Sequence, residues 1–232
     1  MNMTLDELKA RAKADLDNAF EKGKAQGGGD AQIIIDNMQL RDFQWQGAVF
    51  PEGYDFVFQM NVKTNTINAA FMGTKGIKSV KVICKIQGTV IMGQLVRDST
   101  VEVLDLTEFS LIPSQIPYLA FNNTKLVSIL GELDLSNCTT ATSAFTGTTA
   151  LEEIRFKEST ISIALDFRSC TKLSAESYDN IMQGLSSTAT GQTLTLPAYE
   201  TVKATYDDVS AYGEGAWDIL TASKTNWTIA YS

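Results

Sequence analysis

Ser143-Ala144-Phe145-Thr146-Gly147-Thr148-Thr149-Ala150-Leu151-Glu152-Glu153-Ile154-Arg155-Phe156 holds one unit of the pattern that organises this chain. Phe145 leads through Thr146-Gly147-Thr148 to Leu151, and then to Ile154 and Phe156. An apolar anchor, a small polar turn and a short apolar run describe one corner and one strand. The same order recurs on both sides. Toward the C-terminus, Phe167 leads through Arg168-Ser169-Cys170-Thr171 to Leu173. Toward the N-terminus, Phe121 leads through Asn122-Asn123-Thr124 to Leu126 and Ile129. Leu95 leads through Arg97-Asp98-Ser99 to Val101, Leu104 and Leu106, and Phe71 through Met72-Gly73-Thr74 to Ile77, Val80 and Val82. The five anchors lie 24, 26, 24 and 22 residues apart.

A period of this length with Leu-x-x-Leu-type spacing is the sequence mark of leucine-rich repeats. One such unit cannot bury its apolar face alone, but stacked neighbours make a continuous core. The expected fold class is therefore α+β and β-rich: a leucine-rich-repeat-like solenoid over residues 70–173, with an N-terminal helix and a mixed α/β C-terminal cap. Phe71, Leu95, Phe121, Phe145 and Phe167 are expected to form a column inside the coil.

The flanks read differently. Over residues 174–232 the pattern predicts a helix from Ser174 to Leu185, a strand from Gly191 to Pro197, helices over Ala198–Asp208 and Ala216–Lys224, and a last strand from Trp227. Terminal repeats must cover an open edge, and Trp217 and Trp227 supply bulk for such a cap. Residues 31–69 are β-rich, with Ile33-Ile34-Ile35, Phe43, Trp45, Val49, Phe50 and Phe56-Val57-Phe58, and read either as an N-terminal cap or as a small β-domain. Residues 1–26 predict an amphipathic helix. Thr4 and Glu7 make a capping box, and Leu5, Leu8, Ala12, Leu16, Ala19 and Phe20 form one stripe. Gly27-Gly28-Gly29-Asp30 follows as a linker over residues 27–30. A lone helix of about 20 residues is marginal in water, so the stripe folds back on the domain or serves attachment and oligomerisation.

Composition narrows the chemistry. The net charge of −8 argues against an electrostatic grip on nucleic acid or anionic lipid. The chain has no histidine, which removes the Ser-His-Asp and Cys-His arrangements. Cys84, Cys138 and Cys170 are too widely spaced for a disulfide framework or a zinc pattern. They read as buried thiols, with a single Cys138–Cys170 bond left open. No apolar stretch is long enough to insert in a membrane, and the charged opening Met1–Phe20 does not read as an export signal. Gly27-Gly28-Gly29 lacks the lysine and preceding strand of a phosphate cradle. Asp207-Asp208 and Glu152-Glu153 are sequence neighbours whose side chains diverge, so neither reads as an acid–base couple. Glu214, between Gly213 and Gly215, reads as a solvated loop. Asn122-Asn123-Thr124, Asn137-Cys138-Thr139 and Asn226-Trp227-Thr228 read as turns more than as glycan acceptors. The expectation is no catalytic residue, no cofactor-binding residue, no metal ligand and no enzymatic activity. Tyr118, Tyr199, Tyr206 and Tyr212 are the aromatics weighed as a binding surface for carbohydrate or protein, against a reading as packed residues with wet hydroxyls.

The segments Leu133-Asp134-Leu135-Ser136-Asn137-Cys138-Thr139-Thr140, Ser143-Ala144-Phe145-Thr146-Gly147-Thr148 and Phe167-Arg168-Ser169-Cys170-Thr171-Lys172-Leu173 resemble the cadence of the BspA-like leucine-rich repeat proteins of gut and oral bacteria and their phages. The closing stretch from Leu173 to Tyr231 is similar to that family's helix, Gly-x-x-Leu-x-Leu strand, helix and Trp-strand ending, so the resemblance spans about residues 70–232. Cellular members are exported, anchored adhesins; the opening of this chain instead resembles phage-encoded members. The resemblance thus implies a virion protein, made in a bacterial cytoplasm: a fibre, decoration or tail-associated subunit. Its implied partners are other virion proteins and itself through the N-terminal helix, with a host surface protein or glycan on the repeat face. The alternative it implies is a secreted or cell-surface bacterial adhesin.

Overall fold

A computed structural model describes residues 31–35, 45–60, 66–117, 119–141, 143–209 and 212–232. The N-terminal helix expected over residues 1–26, the 27–30 linker and Phe43 lie outside the described residues. The rest is a β-rich, parallel-strand β-solenoid of about four turns, followed by three helices and a second small sheet.

Strands β1 (Ala31–Ile35), β2 (Val49–Met60), β4 (Lys75–Gly93), β5 (Val103–Asp105), β7 (Ser128–Leu133) and β8 (Glu153–Phe156) form one ladder in that order. The 19-residue β4 bends through a coil, pairing along its first part with β2 and β5 and along its later part with β3 (Thr66–Asn68) and β6 (Phe109–Gln115). Every pairing is parallel. Phe56 faces Val80, Val80 faces Leu104, Leu104 faces Ile129, and Ser128 faces Glu153. Each step advances by one repeat, so equivalent apolar residues stack. Phe56, Val80, Leu104, Ile129 and Ile154 are all buried, as are Val101, Leu126 and Leu151. Of the described residues before Ala70, β1 to β3 join the same parallel ladder, and Trp45 stacks on Phe71 at 5.1 Å.

The internal column exists with one change of register. Phe121 stacks on Phe145 at 5.2 Å, and Phe145 on Phe167 at 4.5 Å. Phe71 donates its backbone N–H to the Leu95 carbonyl, and Val96 donates its own to the Ala120 carbonyl just before Phe121. The residue level with Phe71 and Phe121 is therefore Val96, not the Leu95 expected from the sequence. Leu95 is also buried, but it lines an apolar crevice with Phe58, Ile67, Val82, Met92, Leu106 and Phe109. The physical cause is the corner. Ala69, Gln94, Leu119 and Ser143 all take positive φ, between 54° and 63° except for Gln94 at 46°. Each stands two residues before its anchor, so the turn at Gln94 assigns the anchor place to Val96.

The corners hold buried polar groups, which must be bonded in an apolar interior. The Thr74 hydroxyl donates to Phe71 O at 2.9 Å and Ser99 to Val96 O at 2.7 Å. The Asn123 amide donates to Ser99 Oγ at 3.1 Å and Val101 O at 2.9 Å, and the Thr148 hydroxyl donates to Phe121 O at 2.8 Å. A side chain from one coil thus secures the backbone of the next. Gly131 marks a bulge in β7: its φ is +91°, and a Cβ there would lie 2.8 Å from the Leu106 carbonyl carbon.

After Leu173 the chain leaves the repeat. Helix α1 (Ala175–Gly184) is capped by Ser174, whose hydroxyl accepts the Ser177 N–H at 3.2 Å, and it buries Tyr178, Ile181 and Met182. Helices α2 (Tyr199–Asp207) and α3 (Ala216–Ala222) flank strands β10 (Gln192–Leu196) and β11 (Trp227–Tyr231). β10 pairs in parallel with β11 on one side and with β9 (Leu165–Asp166) on the other, so the sheet of the closing region includes a strand from before residue 174. Trp217 is fully buried and donates its indole N–H to the Tyr231 hydroxyl at 2.9 Å; the Trp227 indole donates to Ser186 O at 2.9 Å.

Candidate interaction surface

Alternation on the solenoid ladder sends every second side chain outward, and successive coils place those side chains in rows. Asp55 accepts from the Ser79 hydroxyl one coil on. Lys81 meets Glu108 at 2.7 Å and Asp105 at 3.9 Å, Lys85 meets Glu108 at 3.7 Å, and Lys157 meets Asp134 at 2.8 Å. The bond to Glu108 holds the Lys81 ammonium above its ordinary range and keeps the Glu108 carboxyl below its own. These exposed pairs are well screened by water and add little stability. Their consequence is local: acidic and basic groups on neighbouring coils pair with one another.

The aromatic candidates are drawn inward. Tyr206 is 4% exposed; its hydroxyl donates to Asp179 at 3.0 Å, and its ring stacks on Tyr212 at 4.3 Å. Tyr199 is half-buried, donates to Asp218 and meets the Tyr231 ring edge-on at 5.3 Å. Tyr212 keeps part of its surface, and Tyr118 lies outside the described residues. The three described tyrosines occur together at the capped end, but each is engaged within the chain.

The acidic pairs separate as their sequence adjacency requires. Asp207 is a structural cap: it accepts the N–H groups of Gly215 and Trp217, each at 3.0 Å, and the ammonium of Lys203. Lys203 foremost, then those N–H groups, hold its carboxyl below the ordinary range. Asp208 closes α2. The Glu152 carbonyl accepts from Ser177 Oγ, while Glu153 faces Arg155 at 3.6 Å. Glu214 is exposed between two glycines of positive φ. Asn122, Asn123 and Asn226 all donate to backbone carbonyls, which is turn chemistry; Asn137 is exposed. Cys84, Cys138 and Cys170 are free and buried, and burial raises all three thiols, Cys170 most. Among the described residues no group of three His, Cys, Asp or Glu is placed to hold a metal ion, and no helix is long and apolar enough to cross a membrane. The crevice beside Leu95 is apolar throughout and has no room for a water molecule.

The sequence reading missed how the ladder ends. β8 is the last strand of its sheet, and α1 lies along its free side. Ile154 donates its N–H to the Ser177 hydroxyl at 3.2 Å, and Phe156 donates its own to the Asn180 side-chain oxygen. A Ser-x-x-Asn pair on one face of a helix, following a repeat array, is the signal for such a seal. Among the described residues, β11, at one end of the other sheet, has no such cover.

A stacked coil with a satisfied polar corner, ion pairs between neighbouring coils and one helix-sealed end defines a β-solenoid repeat protein. No family model, no curated protein and no solved structure matches the chain.

Proposed function

We propose that the protein is a non-enzymatic phage virion subunit, a fibre, decoration or tail-associated protein, that presents its repeat surface to a host or environmental ligand. The observation that carries this reading is the solenoid itself. Parallel coils with an aromatic column make a stiff body with a long outer face, suited to presentation. The leucine-rich-repeat affiliation and the BspA-like cadence around Phe145 and Phe167 belong to the same proposal. The Thr4–Lys24 stripe supplies attachment or self-assembly in it, with other virion proteins as the neighbours, and neither nucleic acid nor membrane insertion is involved. The alternative, a secreted or cell-surface bacterial adhesin, draws on the Leu133–Thr140 and Phe167–Leu173 segments, which that family's cellular members share.

Two measurements test it. Capsid or tail genes beside the reading frame are expected; cell-envelope genes there, with an upstream extension encoding an export signal, favour the adhesin. Light scattering is expected to show a larger assembly for the full chain than for a chain starting at Asp30. Equal masses remove the N-terminal helix as an assembly element.

A further inference from the structure

We propose that the free edge of β11 is a self-association site, where a second copy of this chain pairs its own β11 antiparallel across a two-fold axis at Ile229. This is independent of assembly through the N-terminal stripe. Among the described residues β11 is bonded on one side only, to β10, in five uninterrupted register pairs. Ser232 donates its N–H to Leu196 O at 3.2 Å, which sets the parity of the strand. Thr228 and Ala230 direct their backbone groups to β10; Ile229 and Tyr231 direct theirs outward. Among the described residues no backbone bond outside the β10 ladder reaches those outward groups or the Trp227 carbonyl, although the Trp227 N–H is taken by Lys224 O at 2.9 Å.

That pattern of free groups is self-complementary. In an antiparallel pair centred on Ile229, each Ile229 exchanges N–H and C=O with the other, the narrow hydrogen-bonded type of pair. Each Tyr231 N–H then meets the Trp227 carbonyl of the second copy. The occupied Trp227 N–H is not needed. Edge strands are ordinarily blunted by lysine, proline, a bulge or a covering element. Trp227-Thr228-Ile229-Ala230-Tyr231 has no lysine, proline or bulge, and no covering element among the described residues, whereas the other sheet's end at β8 is sealed by Ser177 and Asn180.

Charge selects a second copy and its orientation. The strand carries no charge, so like strands meet without repulsion. Lys224 stands at its start. Asp218 stands near its end, bonded to the Tyr199 hydroxyl while the Tyr199 ring contacts Tyr231, in a cluster with Lys203 and Asp207 whose two carboxylates outnumber its one ammonium. An antiparallel pair brings the Lys224 end of one copy beside the Asp218 end of the other; a parallel pair sets like beside like.

The test uses the full chain. Ile229→Pro removes an N–H that faces away from β10, a position where an edge strand tolerates proline. The concentration at which the dimer dissociates, read by sedimentation, is expected to rise about tenfold or more while the circular dichroism is unchanged. Ile229→Cys places two thiols across the axis, where Cα atoms about 5.5 Å apart suit a disulfide. Under mild oxidation it is expected to form covalent dimer at least about tenfold faster than Glu200→Cys on the exposed side of α2. An unchanged midpoint in a folded Ile229→Pro chain, or cross-linking no faster than Glu200→Cys, overturns the proposal. If Ile229→Pro does not fold, the cross-linking comparison decides alone. Leu8→Lys in the full chain reads the N-terminal stripe separately, so failure of one interface leaves the other standing.

Discussion

The coils between Trp45 and Phe167 and the closing region from Ser174 to Tyr231 bury cores of similar character by different means. In the coils, the residues that touch are one repeat apart: side-chain bonds such as Asn123 to Ser99 and Lys157 to Asp134 span 24 and 23 residues. In the closing region the spacing has no rule. Trp217 bonds Tyr231 14 residues away, Tyr206 bonds Asp179 27 away, and Trp227 bonds Ser186 41 away. The first is a nearly one-dimensional stack in which each coil depends on its neighbours; the second is a small globular core in which distant segments must arrive together. The difference shows what a repeat can do. It propagates a core, but it cannot end one, because each added coil exposes a new edge.

Substitutions at the joins of that comparison separate the two regions. Phe145 lies between the Phe121 and Phe167 rings and is 1% exposed, so Phe145→Ala is expected to cost about 3–5 kcal/mol in denaturant unfolding. Val96→Ala, at the same level of the column without stacked rings, is expected to cost less. Equal losses would mean that the rings contribute no more than an aliphatic side chain. Gly131→Ala places a side chain at positive φ against the Leu106 backbone and is expected to cost at least about 1–3 kcal/mol. Urea titration followed by tryptophan fluorescence distinguishes a loss confined to the coils from one that reaches Trp217 and Trp227.

The seal between the regions comes next. Ser177→Ala leaves the buried Ile154 N–H and the Glu152 carbonyl without their hydroxyl partner, and a loss of about 1–3 kcal/mol is expected. Hydrogen exchange at Ile154 measures the same event directly; exchange as slow as in the unsubstituted protein would show that α1 shields the edge without bonding it.

Acid bears on the closing region through Asp207. The Asp207 carboxyl titrates below its ordinary value because Lys203 and the α3 N–H groups stabilise the charged form. A group depressed in the folded state contributes stability in full above its unfolded pKa, near 4, and loses it as pH falls through the folded value. The near-ultraviolet signal of Trp217 is therefore expected to weaken below pH 4 before the coil signal does. Asp207→Asn is expected to flatten that dependence and to lower stability at pH 7; an unchanged acid profile would assign the transition to another carboxylate. The smallest effect is expected at Tyr178. Its hydroxyl is buried with no bonding partner among the described residues, so Tyr178→Phe is expected to be neutral or stabilising by up to about 1 kcal/mol, read as a small rise in Tm.

Much of this was legible beforehand, and the exceptions have reasons. The helix expected from Ser174 to Leu185 occupies Ala175–Gly184, and the strand expected over Gly191–Pro197 occupies Gln192–Leu196. Both are local patterns set by capping and by alternation. The aromatic anchors were visible because a ring repeated at one spacing is hard to mistake. The Leu95–Val96 step was not visible: two adjacent aliphatic residues fit the pattern equally, and the deciding feature is the positive φ of Gln94, a residue type that does not announce it. The tyrosines considered for binding could not be assigned from sequence, because whether a tyrosine hydroxyl faces solvent or a buried carboxylate depends on segments far away in the chain.

The amino-acid sequence by itself determined that there is a repeat, its period, the polar character of its corners and the change of pattern after Leu173. Those properties are local, since backbone turns and apolar spacing act over a few residues. Only the tertiary structure decided which side chains share a level, that β9 pairs with β10 across the boundary expected at residue 174, and that the β8 edge is sealed by Ser177 and Asn180 while no described residue covers β11 in that way. Pairing between distant strands depends on backbone groups that every residue carries alike, so no side-chain pattern alone records which edge meets which.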